Sequence, residues 1–573
     1  MNNNFKIEKS VYIMMGLVAL IGLFFLLIRS DFILTFRSFS EVQEVAVLQE
    51  NEEKIKEDYK QASFLIIEGE DQPELAKTIT SQLKQMGKVV DTRPIDQNFS
   101  SSEKYEGIIV ATEQLDDLPD IQPLLTYVEA GGSLFFATRP SPGVGLSSIY
   151  QQLGIVEIGS FIETSGIELT KPFLKAMHNE VFSSEDIVNS SLSVRVGQEA
   201  SMYAISTDGT PLLWETSYGG GKFVFFNGTM LANPSQNGLL TKGIQLMVPT
   251  FIYPVINAKV TALEGFPSPV QEGNNKNSNM TNENYLRHSI WAELQRIEAK
   301  YDLNYTTSFV LNSGNTSEQA NSGELLKSQE NAVIYGRELL RMGGEFGVRG
   351  YSQLPTSGFK KTDVKSMFQA TYSVMERALP GYQIQSYIPV NQENALANLH
   401  AVKEVFPDLQ AVLAEVEQPF IEEQGMAVLP KQIKSFPADD YAKWMAFNGL
   451  YSTGFVSQSL EPQALLYQMD AEVVLQDLAS YQKQLKENAP WLRSETLSNT
   501  LTSVQNYEDI IIYEERTEDG ISFQVNKLKA PAYFFLSSDR PVNSYENCKV
   551  TAIGPNLYLI EANEVAFHIG WEG

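Results

Sequence analysis

Residues 11–28 read VYIMMGLVALIGLFFLLI, 18 positions without a charge. As a helix rising 1.5 Å per residue, this run spans about 27 Å, close to the roughly 30 Å hydrocarbon core of a bilayer. A cleaved leader needs a shorter apolar core and a small-residue cleavage site. The following RSDFILTFRSF has no such site. The run therefore predicts an uncleaved transmembrane helix. Lys6 and Lys9 precede it and Arg29 and Arg37 follow it, so the flanking charges alone barely set an orientation. A short head ahead of a long remainder fits a single-pass signal anchor, with residues 1–10 cytoplasmic and the bulk extracytoplasmic. The run LMVPTFIYPVI at 246–256 is shorter and is interrupted by Pro249 and Pro254. It reads as a buried strand region or turn.

Composition narrows the chemistry. The 573 residues carry 43 Lys and Arg against 70 Asp and Glu, a net charge of −27. A chain that neutralises nucleic-acid phosphates needs the opposite balance, so nucleic acid is excluded as a partner. Cys548 is the single cysteine, which excludes an intrachain disulfide and a cysteine zinc cluster. The four histidines, His178, His288, His400 and His568, are widely separated and form no metal-binding motif. No metal and no cofactor is expected.

Residues 29–62 read as a stalk, with a charged, Gly- and Pro-free helix expected over 38–62. From Ser63 the pattern changes. SFLIIEGE, KVVDTRPI, YEGIIVAT and SLFFATRP are compact apolar runs, separated by PELAKTITSQLKQMG and IQPLLTYVEAGG at helical spacing. Such alternation predicts a parallel sheet with flanking helices over 63–254. Gly219-Gly220-Gly221-Lys222 is followed by a strand-like Phe-Val-Phe-Phe rather than a helix, so it reads as a hairpin turn and not a phosphate loop. TYVEAGGSLFFATRP and WETSYGGGKFVFFNGT together resemble the class I glutamine amidotransferase-like fold. That family's enzymes use a Cys nucleophile and a downstream His. The EQLDD after YEGIIVAT offers neither, so the resemblance implies a parallel α/β sandwich without that activity.

Residues 255–490 carry a second resemblance. YPVINAKVTALEGFPSP, HSIWAELQRIEAKYDL with NYTTSFVLN, the run Gly343 to Gln353, SYIPVNQENALANLHAVKEVFPDLQAVLAEV and LYSTGFVSQSLEP follow one another in the order of a NodB-type polysaccharide deacetylase barrel. More closely they resemble an uncharacterised bacterial family with a degenerate barrel of this type, often associated with exopolysaccharide genes. The resemblance implies a divalent metal held by one Asp and two His, with a second Asp as general base. Here Glu264 stands at the base position, Gly265 at the metal Asp, Arg349 and Gln353 at the metal histidines, and Gly454 and Ser457 at the late histidine positions. Gly lacks a ligand atom, and Arg is a permanent cation where a dication belongs. The catalytic set is therefore expected to be lost. Arg349 is expected to pair with Glu264 or Glu345 at the barrel mouth. Glu264, Glu345, Arg349, Tyr351 and Asn391 are the candidate glycan contacts. Asp439-Asp440 in FPADDYAKW reads as a helix N-cap.

Residues 491–573 alternate apolar and polar positions around TEDGIS, a hairpin signal, and predict a β-sandwich. Its aromatics, Tyr533, Phe534, Phe535, Tyr558, Phe567 and Trp571, could stack on sugars, but their alternation in runs favours a place in the core. The expected whole is a multidomain α/β chain: N-terminal transmembrane helix, stalk, amidotransferase-like α/β sandwich, degenerate deacetylase-like β/α barrel and C-terminal β-sandwich. The expected function is that of a non-catalytic, membrane-anchored accessory protein of cell-surface or exopolysaccharide biosynthesis or export. It would bind glycan or scaffold components of a polysaccharide synthase. The alternative is an active polysaccharide deacetylase or glycoside hydrolase with a rebuilt site.

Overall fold

The computed structural model describes residues 14–17, 20, 47–49, 52–100, 105–175, 180–276, 278–312, 322–352, 359–390, 396–467 and 470–572. Most of the apolar run at 11–28 lies outside these residues; those described in it, 14–17 and 20, are helical and exposed. Among the described residues no helix is long and apolar enough to cross a membrane. The expected stalk helix is, where described, a strand at Val47–Gln49 and a short helix at Glu52–Asp58. The strand pairs antiparallel with Lys527–Lys529, and Ile55 is buried. The few apolar residues there are too sparse for a helical seam, and Leu48 instead packs against the core of the C-terminal unit.

In the first unit five strands run parallel in the order Val89–Pro94, Ser63–Glu68, Gly107–Ala111, Ser133–Phe136 and Gly221–Phe226. Gly107–Ala111 and Ser133–Phe136 are buried throughout, as strands covered on both faces must be. The helix Pro73–Gln85 opens on a proline, buries Leu75, Ala76, Ile79 and Leu83, and is followed by Gly87 at φ 72°. Pro211–Tyr218 returns antiparallel to Gly221–Phe226 through Gly219, at φ 58°, and Gly220. That is the expected hairpin. Ser201–Ile205, Ile167–Leu169 and Val181–Phe182 extend the sheet to nine strands.

The second unit is a closed barrel of parallel strands: β1 (Ala258–Leu263), β2 (Tyr305–Val310), β3 (Glu345–Gly350), β4 (Ser386–Tyr387), β5 (Ala411–Ala414), β6 (Ala427–Pro430) and β7 (Phe455–Leu460). Neighbours pair in sequence order, β7 pairs with β1, and a parallel bridge from Ile433 to Gln458 closes the seam after β6. Strand alternation divides the side chains. Ala258, Val260 and Ala262 face Ile388, Leu413, Leu429 and Phe455 in the interior, while Val412, Val428 and Val456 join the outer layer against the helices. The interior also takes Leu497, Val504 and Tyr507, so the helix Leu501–Asp509 plugs the barrel floor. This segment was expected in the C-terminal unit. It belongs to the barrel because a small parallel barrel leaves an open apolar floor that something must fill.

The last unit is two packed four-stranded sheets. Between them lie Phe523, Phe534, Ile560, Phe567, Ile569 and Trp571, so the aromatic residues on this face are core. Thr250–Val255 is a buried strand, as expected, yet it pairs with Ala532–Ser538 rather than extending the first sheet.

Candidate functional site

The C-terminal ends of the barrel strands bring four ionisable side chains together. Residues 258, 260, 262 and 264 share the inner face of β1, so Glu264 caps the interior one step beyond the strand. Arg349 occupies the inner face near the end of β3, two residues beyond Gly347. A Cβ on Gly347 would meet Ser386 Oγ at 2.4 Å, so the interior is already full beneath the arginine. Lys431 continues the inner series 427, 429, 431 beyond β6, and Glu461 directly follows β7.

Arg349 Nη1 donates to Glu264 Oε2 at 2.7 Å and Nη2 donates to Glu461 Oε1 at 3.0 Å. Lys431 Nζ donates to the same Glu264 oxygen at 2.9 Å and to the Pro389 carbonyl at 3.3 Å. The Glu264, Arg349 and Lys431 side chains are 2%, 4% and 0% exposed, whereas Glu461 is 48% exposed. Burial alone would push the Glu264 carboxyl up; Lys431 and Arg349 outweigh it and hold it below its ordinary value. Arg349 Nε finds no acceptor among the described residues.

Above this cluster is a cavity of about 420 Å³, lined by Glu264, Gly265, Arg349 and Glu461 and walled by Pro269, Val270, Leu466 and Tyr467. Ser268 Oγ donates to Gln463 Oε1 at 2.6 Å, Gln463 Nε2 donates back to the Ser268 carbonyl, and Asn331 Nδ2 donates to that carbonyl at 3.0 Å. These bonds tie the loop after β1 to the loop after β7.

Of the candidates read from sequence, Glu264, Gly265 and Arg349 meet here. Gly265 has φ 61° and donates its N–H to Ser308 Oγ at 3.0 Å. Glu345 does not reach the mouth. It opens β3 at the opposite end, where its carboxylate accepts from Ser498 N at 3.1 Å and Thr306 Oγ1 at 3.3 Å. Three residues of strand, Phe346 to Val348, separate it from Arg349, so only one of the two could stand at the mouth. Gly454, at φ 65°, ends the helix Asp440–Thr453 and precedes β7, again at the barrel floor. Ser457 lies inside the seam, donating to the Pro430 carbonyl at 2.6 Å and accepting from Gln432 N at 2.9 Å. Tyr351 is buried in the outer core one residue past β3 and does not line the cavity. Gln353 and Asn391 lie outside the described residues. Asp439 caps its helix as expected, accepting from Ala442 N at 2.7 Å.

Sequence reasoning missed Lys431, Glu461 and Tyr467. Lys431 was within reach, since it extends the inner alternation of AVLP by one step. Glu461 sits in the turn after β7 that the barrel resemblance marks as acidic.

The divalent metal implied by that resemblance does not fit these residues. Two cations already converge on Glu264, so a third positive centre would be repelled at the same point. Gly265 supplies no ligand and would have to leave its left-handed conformation to become an easy Asp. Among the described residues no group of three or more His, Cys, Asp or Glu is placed to hold a metal. What the arrangement offers is a rigid, charge-paired floor under a cleft with one open carboxylate.

The fold has a solved counterpart. The crystal structure of Agd3, described as a novel carbohydrate deacetylase, matches with a TM-score of 0.55 at 11% identity, covering 90% of this chain and 99% of that one. The likeness thus runs through all the units and shows the fold alone. A CE4-family pseudoenzyme from Bacillus anthracis matches at 10% identity over 43% of this chain and 66% of that one, with a TM-score of 0.25. The CE4 domain of a xylanase from the hindgut metagenome of Trinervitermes trinervoides matches at 13% identity over 42% and 88%, with a TM-score of 0.24. These two are too partial to carry an argument. No curated protein matches the chain in sequence. A family model matches residues 33–187 and 176–559, and the chain accordingly belongs to the family described as "Uncharacterised protein conserved in bacteria (DUF2194)".

Proposed function

We propose that this chain is a non-catalytic, membrane-anchored accessory protein of cell-surface polysaccharide synthesis or export, and that the barrel mouth binds carbohydrate. The observation that carries the reading is the pairing of Glu264 with both Arg349 and Lys431. In a metal-dependent deacetylase that point needs a Lewis acid and a free base. Here the carboxylate that would act as base is neutralised by two cations and buried. Lys431 and Arg349 hold it below its ordinary value, which makes it a weaker base toward a water. The likeness of the whole chain to a carbohydrate deacetylase supports a carbohydrate ligand. The apolar run at 11–28 supports a membrane anchor.

The test is acetate and reducing-end release from acetylated amino-sugar polymers by the full-length chain in detergent, with divalent metals added. No release above buffer is expected, and Glu264→Gln should change nothing. Release that Glu264→Gln abolishes would establish the alternative, a hydrolase with a rebuilt site.

A further inference from the structure

We infer that the cleft at the barrel mouth selects amino sugars with a free ammonium group over N-acetylated and acidic ones. The inference rests on the carbohydrate-binding reading above and names the class of sugar.

Charge is layered in the cleft. Arg349 lies at its floor, with its side chain 4% exposed, and Lys431, 0% exposed, lies behind Glu264 and outside the cavity lining. Among the described residues that line the cleft, the acidic side chain open to solvent is Glu461, 48% exposed. Its Oε1 accepts from Arg349 at 3.0 Å, which fixes the carboxylate and leaves the other oxygen to a ligand. Arg349 is itself shared with Glu264, so its charge is spent inward. A ligand entering from solvent therefore meets a carboxylate first. The net charge of −27 adds a long-range field that attracts cations and repels anions.

Shape adds the second element. Tyr467, 54% exposed, lines the same cavity beside Leu466, Pro269 and Val270. An exposed ring over an apolar wall suits the C–H face of a pyranose, and the ring face also attracts an ammonium. The Ser268–Gln463 clamp holds the loops carrying both walls, so little ordering remains to be done on binding.

The experiment is calorimetric titration of the full-length chain in detergent with hexamers of glucosamine, N-acetylglucosamine and galacturonic acid. The glucosamine hexamer should bind most tightly, and its affinity should fall with salt. Glu461→Gln should weaken that hexamer by about fivefold, the scale of a partly exposed charge pair, and leave the acetylated hexamer unchanged. Tyr467→Ala should weaken all hexamers that bind. If the acetylated or acidic hexamer binds at least as well, the inference fails while carbohydrate binding stands. If Glu461→Gln keeps the preference, the attraction is diffuse surface charge and the inference fails in the same way. If no hexamer binds, both readings fall.

Discussion

Two glutamates in one barrel illustrate how position sets chemistry. Glu264 at the mouth is held below its ordinary value of 4.5, because Lys431 and Arg349 outweigh its burial. Glu345 at the floor is raised above 4.5, because burial outweighs the hydrogen bonds from Ser498 and Thr306. The signs of linkage are opposite. A depressed carboxyl adds stability above its unfolded pKa and loses it as pH falls through the folded value. A raised carboxyl holds its proton longer in the folded state, so it costs stability as pH rises past 4.5. Glu345→Gln should therefore flatten the loss of stability on going upward from pH 4.5, and be neutral or stabilising at pH 7. Urea unfolding across pH reads this; a variant that becomes less stable at neutral pH and keeps the wild-type slope would refute it. Arg349→Ala acts in the other direction. It removes charged bonds to Glu264 and Glu461 but leaves Lys431 on the buried carboxylate. A loss of about 1–3 kcal/mol by urea unfolding is expected, the range for a charged hydrogen-bond partner. The Arg349–Glu264 pairing was legible in the sequence from the order of the barrel motifs. The inner alternation of AVLP puts Lys431 on the same face, but its approach to Glu264 depends on barrel closure, which no local pattern carries.

At the scale of elements, a helix pair joins the first unit to the barrel. Asn237–Met247 packs on Asp440–Thr453, with Trp444 Nε1 donating to Gln236 Oε1 at 2.7 Å and Tyr451 donating to Gln245 Oε1 at 2.5 Å. Gly238 makes the close approach possible, because a Cβ there would stand 2.6 Å from Asn448 Cα. Backbone cannot move aside as a side-chain tip can. Gly238→Ala should therefore cost about 1–3 kcal/mol despite the better helix propensity of alanine. Thermal unfolding measures it, and an unchanged or raised Tm would refute the close-packing account. The helices and strands of this region were legible locally, through period and glycine placement. Their partners were less so. Val47–Gln49 finds its pair at Lys527–Lys529, and Thr250–Val255 finds its own at Ala532–Ser538. Pairings so distant in sequence leave no local periodicity to read, which is why the stalk and two unit boundaries were misplaced.

At the scale of the molecule, the three units share packing rather than merely touching. One continuous apolar cluster runs from Phe64 and Ile79 in the first sheet through Trp291 and Phe346 around the barrel to Phe535 and Leu559 in the sandwich. Its junctions are aromatic: Phe64 meets Phe251 edge-on at 6.0 Å, Phe173 lies 5.1 Å from Tyr451, and Trp491 meets Phe535 edge-on at 5.3 Å. The chain also crosses between units repeatedly, with Thr250–Val255 supplying a sandwich strand before β1 and Leu501–Asp509 closing the barrel floor before the sandwich resumes. A barrel cut out at residues 256–509 would keep its strands and floor but bare Tyr451, Trp491 and the outer face of Trp444 to water. Interfaces between units that only touch are small and polar, and such units melt separately. Here the large apolar junctions make unfolding one unit costly for the next. Differential scanning calorimetry of the full chain should show a single transition for the described units, and the 256–509 fragment should be aggregation-prone or bind a hydrophobic dye. Two well-resolved transitions, or a soluble and cooperatively folding fragment, would show that the shared cluster does not couple the units.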